Sequence, residues 1–254
     1  MPRTAHHAAC VALSTIIATS TAVAGPLTPP PGAPSSTNTT LQQVEPRTPI
    51  INTDTTIVIT EPGSYYLASN IRTTSIGIEI QVGGVTIDLN GFVVEGSRSG
   101  LTADAGVVVT SSATGGPVVI RDGTVRRFSG NGFDSSASFV DVHVADVHVE
   151  QCRDGFDVAG DALIERSSAT FCDRVGFQNA PSSVIAISHC FAVANGAAGF
   201  ALDNASIRSS AARNNQGVGF DCGRNSTVAN CLARFNELGF SASDYAVITD
   251  SSSV

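Results

Sequence analysis

The sequence predicts an all-β solenoid, a chain wound into about eight stacked rungs of 20–29 residues. The first observation is a Gly-Phe dipeptide that recurs six times in the second half of the chain. The second is that short runs of alternating apolar and polar residues, such as 85–89 and 142–149, lie within the repeats. Repeats of this length with period-two alternation indicate several short strands per repeat. A helical repeat would need a 3.6-residue periodicity, which these units lack.

The Gly-Phe repeat sets the period of the solenoid. Successive dipeptides are separated by 23, 21, 23, 20 and 20 residues, and looser spacings of 26 and 29 extend the series upstream to Gly106 and Gly77. Glycine permits a sharp corner, and the following phenylalanine begins an inward-facing strand. We therefore expect the six rings to stack inside the solenoid at about 4.8 Å. These phenylalanines are Phe133, Phe156, Phe177, Phe200, Phe220 and Phe240.

A second set of positions keeps the same period. A turn residue precedes each of the last five Gly-Phe pairs, and these residues are Cys152, Cys172, Asn195, Asn215 and Asn236. Small residues stand three and five positions before each of them, which predicts two columns on one face. Asparagine tolerates a left-handed backbone, so we expect the three asparagines to form the turns. Their stacked side chains can also hydrogen-bond along the column.

The first 50 residues are predicted to lie outside the solenoid. Residues 1–24 have the pattern of a signal peptide: one early positive charge, an apolar run at 8–18 too short to span a bilayer, and the small-x-small site Ala22-Val23-Ala24. We expect cleavage after Ala24, export to a secreted, cell-surface or periplasmic location, and no membrane insertion. Residues 25–50 are rich in Pro, Thr and Ser and predict a disordered tether.

Residues 51–254 resemble the right-handed parallel β-helix proteins of the pectin-lyase-like group. The resemblance is carried by the Gly-Phe repeat, by the Pro62-Gly63 turn leading to Tyr65-Tyr66-Leu67, and by a strand that ends on Asn90-Gly91. It implies a single right-handed parallel β-helix over 51–254, with 51–76 capping its first rung. It says little about activity, because this solenoid hosts lyases, hydrolases, epimerases, adhesins and phage proteins.

The C-terminal end carries no recognisable cap. After Phe240 the sequence contains one predicted strand, at 246–249, and no amphipathic segment. The last rung of a solenoid exposes unpaired backbone groups. Three interpretations stay open: a partner or a second copy covers this edge, residues 250–253 blunt it, or the sequence is a truncated form.

Five cysteines follow the predicted cleavage site. An odd number in an exported chain leaves at least one free thiol or a bond to another chain. Cys152 and Cys172 fall in one column on neighbouring rungs, close enough for a disulfide if their side chains turn towards each other. The alternative, which we favour, is that the cysteines are small core residues.

The charge balance excludes some partners. The chain has 14 Lys+Arg, all of them Arg, against 22 Asp+Glu, and its formal net charge is −8. A negative field repels phosphate, so we expect neither nucleic acid nor an anionic membrane as a partner. No exposed apolar or aromatic patch is evident from the sequence.

Candidate chemistry lies on the outer face, where enzymes of the resembled group carry their catalytic residues. In register, Asp122 stands beside Asp146, and adjacent carboxylates can bind Ca²⁺. A Ca²⁺ ion with Arg126 as base resembles the equipment of polysaccharide lyases, with His148 or His143 as an alternative base. The bland alternative is that Arg126 forms a surface ion pair with Glu150, and that both histidines are ordinary solvent-facing strand residues.

Two functions therefore follow from the sequence. The preferred one is an exported β-helix scaffold with a carbohydrate-related role, which binds polysaccharide outside the cell or at its surface. The alternative is a polysaccharide lyase-like enzyme that acts on acidic polysaccharide through Asp122, Asp146, His143, His148 and Arg126 with Ca²⁺. The lyase pattern is incomplete, because the chain has no Trp and no Lys.

Overall fold

The computed structural model describes residues 47–51, 54–98, 104–135 and 140–254. All regular secondary structure in these ranges is β-strand, in strands numbered β1 to β26 in chain order. The described part contains no helix long and apolar enough to cross a membrane. The predicted signal peptide, 1–24, and residues 25–46 of the predicted tether lie outside the described residues. Strand pairing begins at Thr48, inside the segment that the sequence assigned to the tether.

The strands stack into three parallel faces along the solenoid. Face 1 is a nine-stranded sheet made of β2 (Ile57–Ile59), β5 (Ile78–Ile80), β8 (Val107–Val109), β10 (Phe133–Asp134), β12 (Phe156–Val158), β15 (Phe177–Asn179), β18 (Phe200–Leu202), β21 (Val218–Cys222) and β24 (Leu238–Ala242). Face 2 contains β1 (Thr48–Ile50), β3 (Gly63–Leu67), β6 (Val85–Asp88), β13 (Ala162–Glu165), β16 (Ile185–Ser188), β19 (Ala205–Arg208), β22 (Thr227–Ala229) and β25 (Val247–Thr249). Face 3 contains β4 (Ile71–Arg72), β7 (Val93–Glu95), β14 (Ser168–Thr170), β17 (Phe191–Val193), β20 (Ala211–Arg213), β23 (Leu232–Arg234) and β26 (Ser252–Ser253). Two longer strands, β9 (Val118–Arg126) and β11 (Val142–Glu150), pass through both face 2 and face 3 and join them into one sheet.

Each rung adds one strand, or one half of β9 or β11, to each face. Nine rungs follow one another, from β2 to β26, and the strands of successive rungs pair in parallel. Backbone N–H and C=O groups therefore bond to the rungs above and below rather than within a rung. This confirms the predicted all-β, right-handed parallel β-helix, with nine rungs where the sequence indicated about eight. The additional rung lies upstream of the Gly-Phe repeat, where the spacing is irregular.

The core is organised in columns, because each residue lies above its counterpart in the previous rung. Phe156, Phe177, Phe200 and Phe220 are all fully buried. Their ring centroids are 4.7 to 4.8 Å apart, and the interplanar angles do not exceed 9°. At the two ends of the column the stacking loosens. Phe133 is tilted by 38° at 6.3 Å, and Phe240 lies 5.1 Å from Phe220.

Single residues with a left-handed backbone turn the chain between faces. At the corner between faces 2 and 3, the 2–3 corner, these residues are Asn90, Asp122, Asp146, Arg166, His189, Ser209, Asn230 and Asp250. At the corner where face 3 ends, the 3–1 corner, they are Arg127, Gln151, Phe171, Ala194, Asn214 and Phe235. One left-handed residue redirects the strand within a single step, which lets neighbouring faces share one continuous hydrogen-bonded sheet.

The asparagines predicted to be left-handed are not. The left-handed residue is the one before each of them, as at Asn214, where φ is 55°. Asn195 and Asn215 are instead buried. They point into the solenoid, because the corner leaves backbone groups there that need partners.

A hydrogen-bonded ladder of the three asparagines supplies those partners. The Asn195 Nδ2 donates to the Asn215 Oδ1 at 2.9 Å, and the Asn215 Nδ2 donates to the Asn236 Oδ1 at 2.9 Å. Each Oδ1 also accepts the backbone N–H of the residue in the preceding rung, at 3.0 Å. The Nδ2 groups donate in addition to backbone carbonyls, including that of Ala192 at 3.1 Å. The buried amides are therefore satisfied in both directions along the axis.

The five cysteines of the described residues are buried and free. Cys152 and Cys172 lie on consecutive rungs without forming the disulfide that the sequence left open. Each Sγ contacts the carbonyl oxygen two residues earlier, at 3.4 Å for Cys152 and 3.8 Å for Cys172. Burial raises the pKa of both thiols to about 12. The thiols thus behave as small core groups.

Truncating one ring of the phenylalanine column tests its energetic role. Phe200→Ala should lower the free energy of unfolding by about 3–5 kcal/mol, because the ring is fully buried between two others. Phe191→Ala is the matched control: this ring is 53% exposed, so the change should stay within about 0.5 kcal/mol. Urea unfolding measures both, and equal losses would contradict the assignment of the column as core.

Candidate functional site

The predicted catalytic and metal residues are distributed over two faces and the corner between them. His143 lies on face 2, opposite Val119 and Leu163. His148 and Arg126 lie on face 3, opposite Ser168 and Glu150 respectively. The corner of β11 between these faces therefore separates the two histidines.

Asp122 and Asp146 occupy that 2–3 corner, with φ of 61° and 57°. They lie on adjacent rungs, since the neighbouring pairs Arg121–Ala145 and Gly123–Val147 are in register. Both residues are charged and exposed, as the sequence predicts, but they do not form a pair of open carboxylates.

The predicted Ca²⁺ site is not assembled. Both carboxylate oxygens of Asp146 accept hydrogen bonds from Arg166, from Nε and from Nη2, each at 2.9 Å. This bidentate contact lowers the pKa of the Asp146 carboxyl. Asp122 lies 3.7 Å from the Nε of Arg121. In the ranges that the structure describes, no group of three or more His, Cys, Asp or Glu side chains is arranged to hold a metal ion.

Both histidines contact side chains of neighbouring strands. The His143 Nε2 is 3.4 Å from the Glu165 Oε2 on the next rung. The His148 Nδ1 hydrogen-bonds to the Ser168 hydroxyl, and its Nε2 is 3.5 Å from the Glu150 Oε2. These contacts orient the imidazoles along the sheet surface, as expected for solvent-facing residues that stabilise neighbouring strands.

Face 3 carries a ladder of ion pairs around Glu95, which the sequence did not reveal. The Glu95 carboxylate, with only 10% of the side chain exposed, contacts Arg72 at 3.2 Å, Arg126 at 3.2 Å and Arg127 at 3.3 Å. Arg126 also contacts Glu150 at 3.5 Å, so the anticipated Arg126–Glu150 pair is one part of a larger network. The ladder was missed because its members are 23, 31 and 24 residues apart, outside the regular period.

An open cleft of about 460 Å³ lies beside this ladder. Its walls are Asp54, Arg72, Thr73, Thr74, Glu95, Gly96, Ser97 and Arg127. The Arg72 and Arg127 side chains are 75% and 50% exposed, whereas Glu95 is nearly covered. The cleft therefore presents guanidinium N–H donors and hydroxyl groups over a single anchoring carboxylate. We call this set of residues the arginine cleft.

A second feature of face 3 corrects the expectation that no apolar patch is exposed. Phe171, Phe191, Leu232 and Phe235 are between 40% and 61% exposed. They lie on or beside face 3 in its C-terminal rungs. Sequence alternation could not reveal them, because phenylalanine in a strand is normally assigned to the core.

Comparison with solved structures agrees with the fold. The crystal structure of pectate lyase Pel9A matches with a TM-score of 0.50 at 14% identity, covering 81% of this chain and 68% of that one. The crystal structure of the Dettilon tailspike protein (gp208) matches with a TM-score of 0.40 at 9% identity, covering 79% of this chain and 61% of that one. No family model and no curated protein match the sequence. At this identity the likeness to Pel9A concerns architecture alone: the chain shares its parallel β-helix fold.

The Asp146–Arg166 contact predicts a measurable titration. In Arg166→Gln the pKa of the Asp146 carboxyl should rise towards its ordinary value, because the guanidinium that stabilises the charged form is gone. Since the folded pKa is the lower one, the stabilisation by this pair is complete above the ordinary Asp pKa. It is lost as the pH falls through the lowered value. Carbon-13 NMR of the carboxyl measures the shift. Arg208→Gln, on face 2 two rungs further along, is the control, and an unchanged Asp146 pKa in Arg166→Gln would contradict the assignment.

Proposed function

We propose that this chain is an exported protein, secreted or held at the cell surface or in the periplasm, which binds carbohydrate in the arginine cleft without catalysis. The observation that carries the proposal is the excess of cationic donors in that cleft. Three guanidinium groups converge on Glu95, and two of them remain half-exposed or more. A ligand bearing an acid group complements the remaining positive charge.

The cleft also offers groups that suit sugar hydroxyls. Thr73, Thr74 and Ser97 line the same walls as Arg72 and Arg127. Hydroxyl side chains both donate and accept hydrogen bonds, as sugar hydroxyls do. The cleft therefore suits a glycan that combines an acid group with free hydroxyls, such as one containing uronate.

The overall charge narrows the ligand further. A formal net charge of −8 opposes the approach of a densely charged polyanion. The positive groups are confined to a small part of face 3. A glycan with isolated acid groups is therefore favoured over one with an acid on every residue.

Binding is favoured over catalysis because the residues proposed for a lyase are engaged elsewhere. Arg126 is held between Glu95 and Glu150, and a charged guanidinium has no lone pair with which to accept a proton. His143 and His148 lie on different faces. No arrangement of the described residues brings a base, a metal ligand and a substrate cleft together.

Glycan binding provides the test of this function. Affinity for a panel of acidic and neutral polysaccharides, measured by calorimetry with and without Ca²⁺, should be highest for glycans with sparse acid groups. The double variant Arg72→Gln/Arg127→Gln should weaken binding about tenfold or more, because charge-assisted hydrogen bonds are lost. Arg224→Gln, an exposed arginine at a distant corner, is the matched control. Binding that is absent, or equal in both variants, would remove the cleft from this role.

The lyase alternative has its own readout. Incubation of the same panel should yield no rise in the absorbance of unsaturated uronate, either with Ca²⁺ or without it. If product forms, and His148→Ala or Arg126→Ala abolishes it while the fold is retained, the protein is a lyase and the proposal of a non-catalytic role fails.

A further inference from the structure

The C-terminal half of face 3 exposes apolar side chains next to arginines. We define this apolar patch as Phe171, Phe191, Arg213, Leu232, Arg234 and Phe235. Phe191 is 53% exposed and Leu232 is 40% exposed, although both lie in the middle of the face rather than at its ends. Between them runs a groove of about 250 Å³, whose other walls are Val193, Ala211, Ala212 and the two arginines. A single apolar side chain of a partner can enter such a groove.

The arginines of the patch have no counterions. Arg213 and Arg234 are direct partners on neighbouring strands, and among the described residues neither forms an ion pair. Like charges placed opposite each other destabilise a sheet. In the N-terminal half of the same face the corresponding positions alternate, so that Glu95 and Glu150 neutralise Arg126. The C-terminal pair thus lacks what the N-terminal ladder supplies internally, an acidic group.

Two phenylalanines of the patch carry an additional conformational cost. Phe171 and Phe235 have φ of 53° and 54° at the 3–1 corner and are 61% and 57% exposed. The same corner position is Ala194 and Asn214 in the two rungs between them. A bulky residue in the left-handed region is an outlier, and such strain concentrates where function retains it. The Arg234 guanidinium lies 4.6 Å from the centre of the Phe235 ring, which holds this ring and this charge together.

We propose that the apolar patch is a docking surface for a protein partner. The partner places an Asp or Glu carboxylate between Arg213 and Arg234, and an apolar side chain in the groove between Phe191 and Leu232. Exposed aromatic residues with arginine are the composition of interaction hot spots. Charge complementarity determines the acidic character of the partner.

Other occupants fit the patch less well. The groove walls contain no hydroxyl or amide side chain, so a sugar would leave its hydroxyls without partners. A symmetric contact between two copies through the patch would bring the unneutralised arginines of both copies together. This docking surface is independent of the glycan function proposed for the arginine cleft.

Selection from a phage-displayed library of random peptides on the full chain tests the proposal. We expect enriched peptides to carry Asp or Glu within two positions of Phe, Leu, Ile or Val. A synthetic peptide of that consensus should lose about tenfold or more in affinity for Arg213→Gln/Arg234→Gln and for Phe191→Ser. Arg208→Gln, on the same rung as Arg213 but on face 2, should bind normally. Selection on Arg213→Glu/Arg234→Glu should enrich Lys and Arg in place of the acids.

Several outcomes would overturn the docking surface. These are enrichment without acidic residues, affinity that survives Arg213→Gln/Arg234→Gln, or no enrichment on the wild-type chain. Sedimentation that shows self-association abolished by Phe191→Ser would make a second copy the occupant instead. Phe171→Asn should raise the Tm by roughly 2–4 °C, because asparagine tolerates this backbone, and should weaken peptide binding. A lowered Tm would show that Phe171 supports the fold and would remove it from the patch.

Discussion

The structure depends on one constraint: each rung hydrogen-bonds to the next in register, so every residue lies above its counterpart. The 4.7 to 4.8 Å separation of the phenylalanine rings is the spacing between neighbouring strands. The asparagine ladder obeys the same spacing and satisfies buried amides that no other group could reach. Core apolar contacts and core polar contacts therefore repeat along one axis, and neither can shift without the other.

The same constraint organises the outer surface. One outward column of face 3 contains Arg72, Glu95, Arg126 and Glu150, and it ends with Arg213 and Arg234. Where the signs alternate, the column neutralises itself and borders a polar cleft. Where two arginines are adjacent and apolar residues surround them, the surface is left with unmet charge. Two surfaces of different chemistry thus occupy opposite ends of one face, and they suit a glycan and an acidic protein respectively.

The corners decide which side chains can act together. At the 2–3 corner Asp146 is left-handed and directed to Arg166, so a carboxylate that the sequence suggested for metal binding holds the next rung instead. The same corner turns β11 so that His143 and His148 lie on different faces. A constellation that is compact in sequence, within a single nine-residue strand, is therefore divided in space.

The sequence alone determined the solenoid, because the Gly-Phe period and the strand alternation are local patterns that only stacked rungs satisfy together. It also indicated which phenylalanines and asparagines share columns. The tertiary structure decided the rest. The position of the left-handed residue shifted by one, since buried backbone groups drew the asparagines inward. Glu95 met Arg72 and Arg126 across irregular spacings, which no periodicity could have aligned. Phe191 turned outward because alternation fixes only that neighbouring residues face opposite ways, and packing against the other faces decides which of them enters the core.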